Sequence, residues 1–131
     1  MSVSMPGWSF RNSFSTSEQM RSVLSEMLNE VRDRLDVEEE PWYDLKIILH
    51  ELCCNALEHG KDPVEVFSAV CDTDRRLHVL VCDSGPGFTP TNNGKCGDHA
   101  ESGRGLHIVS CLADDIMFNS TANKVLVRVQ I

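Results

Sequence analysis

Apolar residues recur at helical spacing twice in the first sixty positions and alternate with polar ones through much of the remainder. Met20, Val23, Leu24, Met27, Val31 and Leu35 stand three or four apart, which gathers them on one stripe of an amphipathic helix. Ser15 followed by Glu18 has the pattern of a capping box, so this helix is predicted to begin there and to run to about Leu35. Ahead of it, WSFRNSF (8–14) alternates as a strand does, and behind it the acidic DVEEE (36–40) reads as a solvated connector. Pro41 suits a first helical turn and Gly60 the position just past a helix end. The apolar pattern between them predicts a second helix, about 28 Å long at the helical rise.

PVEVFSAVCD (63–72) and RLHVLVCD (76–83) then read as two strands joined at Asp72-Thr73-Asp74. Residues 84–102 hold four of the eight glycines and two prolines, which predicts a long loop. GLHIVSCLADD (105–115) is a third helical pattern. IMFNS (116–120) and VLVRVQI (125–131) follow as a hairpin around Thr121-Ala122-Asn123-Lys124. The order β-α-α-β-β-loop-α-β-β implies an α+β fold. Its natural packing is a two-layer α/β sandwich, a mixed and mostly antiparallel sheet with helices over one face. No repeat or linker divides the chain, so residues 1–131 are expected to form a single domain.

The charge balance narrows the function classes. A net charge of −8 argues against direct nucleic-acid binding, which needs a basic stripe to meet phosphates. No apolar run reaches the roughly 20 residues of a membrane span. The opening MSVSMPGWSF lacks a basic region and an apolar core, so no secretory signal is expected. Six cysteines without a C-x-x-C motif, mostly in apolar stretches, fit reduced thiols of a cytoplasmic protein better than a disulfide framework.

Three polar features are more than this fold requires. Glu51, Asn55 and Glu58 fall within about 60° of one another on the second helix, beside the apolar face of Leu45, Ile48, Leu52 and Ala56. They make either a solvated face or the wall of a ligand site. Asp83-Ser84-Gly85-Pro86-Gly87 follows an apolar strand directly. It is either a common turn or a close approach of backbone to ligand, with a carboxylate able to accept from an exocyclic amine. Ser102-Gly103-Arg104-Gly105-Leu106 opens the third helical pattern. Free N–H groups at a helix start, with Arg104 adding charge, would suit an anion, although the GK[ST] ending of a P-loop is missing. His50, Cys53 and Cys54 lack the H-E-x-x-H spacing, and zinc is not expected there.

Together and in this order, the three features resemble the GHKL (Bergerat-fold) ATP-binding domains, and within them the bacterial anti-sigma-factor serine/threonine kinases. Glu51-x-x-x-Asn55-Ala56 is similar to the N box of that family, Asp83-x-Gly85-x-Gly87 to its first glycine box, and Gly103-x-Gly105-Leu106 to its second. The resemblance covers nearly the whole chain. It implies that Asn55 holds Mg²⁺, that Asp83 accepts from the adenine amine of ATP, and that Gly85 and Gly87 let the chain pass close to the base. It further implies that Gly103, Arg104, Gly105 and Leu106 wrap the phosphates, that residues 86–102 form a lid, and that Glu51 is the general base.

Sensor histidine kinases of the family commonly carry Asn at the position of Glu51. A histidine nucleophile needs no base to remove a hydroxyl proton, whereas a serine does. The resemblance therefore implies an anti-sigma factor that is also a serine kinase. It would phosphorylate an anti-anti-sigma (STAS-type) antagonist and hold a sigma factor inactive, as a homodimer built on the first strand and helix. Two alternatives stand beside it: a nucleotide-binding module that sequesters its partner without phosphate transfer, and a detached histidine-kinase-type catalytic domain. Two positions depart from the pattern: Val125 replaces a Thr common near the start of the last strand, and Glu101 stands where some relatives have Arg. His59, at a helix end, suits either a phosphate contact or a favourable charge on the helix terminus.

Overall fold

The computed structural model describes residues 9–71, 73, 75–85, 100–119 and 123–131, with the backbone alone for 100–105. Its elements are β1 (Phe10–Phe14), α1 (Ser17–Arg34), α2 (Glu39–His59), β2 (Val64–Cys71), β3 (Arg76–Cys82), α3 (Ala100–Leu112), β4 (Asp115–Phe118) and β5 (Lys124–Gln130). The five strands form one sheet in the order β1-β2-β3-β5-β4. All four pairings are antiparallel, so the sheet described has no parallel pair of the kind a mixed sheet would show. The expected α+β architecture is present. No helix among the described residues is long and apolar enough to cross a membrane.

α1 begins one residue later than the Ser15–Glu18 pattern predicts. Thr16 is the N-cap, and its Oγ1 accepts the Gln19 N–H at 3.1 Å. Gln19 Oε1 reaches back to accept the Ser15 N–H at 2.8 Å. The cap is therefore Thr16 with Gln19, displaced by one position from the pair read in sequence, and the return bond goes to the residue before the N-cap. The helix then buries Met20, Val23, Leu24, Met27 and Val31, the predicted stripe.

α2 starts at Glu39, with Pro41 in its first turn, where a missing N–H costs nothing. It ends at Gly60, whose N–H bonds Ala56 O at 2.9 Å. Leu45, Ile48, Leu49 and Cys53 are fully buried, and the helix lies against β2, β3 and β5. Truncating one of these leucines to Ala would cost about 2–5 kcal/mol. Because α2 is packed over the middle of the sheet, the polar residues on its flank are held at a fixed height above the strand ends.

Burial alternates along the strands as the pairing requires. Val66, Val79 and Val81 face the helices, and Val127 and Val129 of β5 lie beside them in register. One buried cluster joins these residues to all three helices. The opposite face carries Phe67, Leu80, Leu126 and Met117 side by side across four strands, with Met117 exposed. The five described cysteines are all free thiols.

Candidate functional site

The last turn of α2 and the end of β3 meet at one point. Asn55, Ala56 and His59 of α2, its C-cap Gly60, Val81 of β3 and Asp83 just past the strand line a recess with Asn123 and Val125 of the β4–β5 hairpin. The structure thus brings Asn55 and Asp83 together, as the two sequence boxes predict. Val125 lies at the position expected of it, pairing with Val81 and Phe118, and gives the recess an apolar wall where a Thr would have offered a hydroxyl.

Asp83 is fixed by its surroundings. Its Oδ1 accepts the Gly85 N–H at 2.7 Å, and its backbone N–H donates to Asn123 O at 3.0 Å. Gly60 packs directly on its carboxyl carbon, and a Cβ at Gly60 would collide with it. A Cβ at Gly85 would stand 3.1 Å from Asp83 Oδ1. A side chain at Gly60 would displace the carboxylate and one at Gly85 would crowd it, while Oδ2 has no hydrogen bond among the described residues and Asp83 lines the recess. Gly87 lies outside the described residues, as does 86–99 of the expected lid.

Asn123 completes the frame. Its Nδ2 donates to Gly85 O at 3.1 Å, and its Oδ1 accepts from Asn119 Nδ2 at 2.7 Å. The hairpin tip is thereby tied to the loop that carries Asp83. Asn123 and the steric role of Gly60 are not evident in the sequence, where one reads as a turn residue and the other as a helix stop. Only the β3–β5 register, which sets Cys82 opposite Lys124, places Asn123 beside Asp83.

Asn55 is half-buried, and among the described residues its side-chain amide has no hydrogen-bond partner, so its oxygen is available to a hard cation. Glu51 stands one turn earlier on α2. It does not line the recess with Asn55; it lies at the head of a separate groove between α1 and α2. Its carboxylate is one-third exposed and 4.0 Å from His50 Nδ1. Glu58, the third polar residue of that face, is exposed and pairs with His59 at 3.6 Å.

The second glycine box lies elsewhere than predicted. α3 begins at Ala100, so Gly103, Arg104 and Gly105 fall within its first two turns rather than ahead of it, and residues 100–102 of the expected lid are helical. One glycine in a helix costs only about 1 kcal/mol relative to Ala, and Ala100-Glu101-Ser102 contains no breaker. The unpaired N–H groups of this helix start therefore include those of Ala100, Glu101 and Ser102, ahead of the box. Leu106 is half-buried and packs against the core.

The free volume enclosed by the described residues of the recess is about 10 Å³, far below the roughly 300–1,000 Å³ of small-molecule sites. The donor set itself fits ATP and Mg²⁺: a free amide oxygen for the ion and an anchored carboxylate acceptor for an amine.

A family model for the histidine kinase-like ATPase domain matches residues 14–131. The chain belongs to this family. The match takes in the whole recess, and membership in this ATPase family implies ATP binding. The ATPase domain is also similar to an uncharacterized sensor-like histidine kinase of Staphylococcus epidermidis, 39% identical over 49 residues. That likeness covers 36% of this chain and 10% of the relative, so the chain spans only a small part of that protein's length.

Proposed function

We propose that this ATPase domain is a cytoplasmic serine kinase that also acts as an anti-sigma factor, working as a homodimer with ATP and Mg²⁺. Its protein substrate would be a STAS-type anti-anti-sigma antagonist, and its second partner a sigma factor. The observation that carries the reading is the position of Glu51, one helical turn from Asn55 of the recess and at the head of the α1–α2 groove. A protein hydroxyl arriving along the groove would meet a carboxylate before it met the nucleotide.

In the proposed transfer, Glu51 takes the proton of the serine hydroxyl, and the serine oxygen bonds to the γ-phosphorus of ATP. The bond from that phosphorus to the β–γ bridging oxygen breaks, and ADP leaves. Asp83 orients the substrate through the adenine amine. Bound Mg²⁺, held by Asn55, would offset the phosphate charge.

The deciding experiment incubates the protein with γ-labelled ATP, Mg²⁺ and the antagonist. An acid-stable label on the antagonist is expected, and Glu51→Ala should slow its appearance by about 10²–10⁴-fold while nucleotide binding persists. The likeness to a sensor-like histidine kinase supports a second reading, transfer to histidine, which would give an acid-labile label instead. No transfer to any protein would favour a sequestering module.

A further inference from the structure

The groove between α1 and α2 has a free volume of about 640 Å³ and opens at one end on Glu51. Its charge is opposite to that of the helices that build it. α1 carries four Asp/Glu and α2 five, against four Lys/Arg in all. Three of those four cations, Arg21, Arg32 and Lys46, line the groove, whereas Glu51 is the one acid of the nine that does. On a chain of net charge −8, this is a locally basic strip.

The strip is also apolar and pre-ordered. Arg32 lies over the Trp42 ring at 4.0 Å and Lys46 over Tyr43 at 5.3 Å, so both cations rest on aromatic faces. Tyr43 and Ile47, one turn apart on α2 and both lining the groove, are 56% and 41% exposed. Aromatic anchors and arginines in a recess are what binding hot spots are made of. From Trp42 to Glu51 the groove extends about 14 Å at the helical rise, enough for two to three turns of a docked helix.

We infer that this groove docks an acidic amphipathic helix of the protein substrate. Apolar residues three and four apart would rest on Tyr43 and Ile47, flanking carboxylates would meet Arg21, Arg32 and Lys46, and the acceptor hydroxyl would follow at the Glu51 end. The last step rests on the phosphotransfer reading above; the docking does not.

The test uses a fluorescent 12-residue amphipathic Glu/Leu peptide ending in one serine, with a Lys/Leu peptide of the same pattern as control. Anisotropy should show the Glu/Leu peptide binding at least about tenfold more tightly than the control, with affinity falling as salt rises. Arg21→Gln with Lys46→Gln should weaken it about tenfold, as should Tyr43→Ala, with unchanged circular dichroism in each variant. Equal binding of the two peptides, no binding of the Glu/Leu peptide, or binding untouched by these variants would overturn the assignment. So would a dimer that the Arg21→Gln/Lys46→Gln pair dissociates, which would give the groove to a second copy of the chain. Peptide bound as expected but never phosphorylated would uphold the groove and count against the kinase.

Discussion

Asp83 has one carboxylate oxygen bonded to its own loop and Gly60 packed against its carboxyl carbon, so its remaining acceptor is held in place before any ligand arrives. ATP with Mg²⁺ at about 100 times its dissociation constant should stabilise the fold by about 2.7 kcal/mol. Asp83→Ala should abolish most of that shift in a thermal melt, because the amine loses its acceptor. Asn123→Ala tests the frame instead of the contact. It removes the bonds to Gly85 O and Asn119, and should weaken nucleotide binding about tenfold, on the order of one or two hydrogen bonds. Equal ATP affinity in the two proteins, measured by calorimetry, would show that the tie does not position Asp83. Asp83 and Asn55 stand out in the sequence because a glycine pair follows the one and an apolar helical stripe flanks the other, and the family resemblance supplies their roles. Asn123 does not stand out, since an asparagine in a turn has a sufficient local reason to be there.

At the scale of elements, capping chemistry explains both what was readable and what slipped. The run Ser15-Thr16-Ser17-Glu18-Gln19 satisfies the box pattern in two registers, and local sequence does not choose between them. The structure selects the register in which Gln19 reaches back to the Ser15 N–H. Thr16→Ala should therefore cost about 1 kcal/mol in urea denaturation, and Ser15→Ala much less; the reverse order would restore the earlier register. α2 was read nearly whole because proline and glycine bracket it. The glycines of α3 do not mark its start, because a helix tolerates them when the residues before them continue it.

The whole molecule rests on one core, and its alternating strands made that core legible; the register that assembles the recess was not. Cys53 lies fully inside this core, and burial pushes its thiol far above its ordinary value of 9.0. The folded state therefore keeps a proton that the unfolded chain gives up, so this contribution to stability is complete below about pH 9 and declines above it. The half-buried Cys82 thiol is raised in the same direction, again by burial first. The urea midpoint should fall between pH 8 and pH 10, and Cys53→Ala should lose less across that interval than wild type. An equal fall in both would remove Cys53 from the account.

The place of β5 has one more consequence. It is threaded between β3 and β4, so Arg76 pairs with a residue 54 positions later and Cys82 with one 42 later. Contacts that distant form slowly, because a long stretch of chain must be closed first. A nascent chain that has not yet delivered β5 holds Asn55 and Asp83 but neither Asn123 nor Val125, and the Asp83 N–H has no carbonyl to meet. The recess is therefore incomplete on a partly synthesised domain, and tight ATP binding is expected only once the strand that closes the sheet has been delivered.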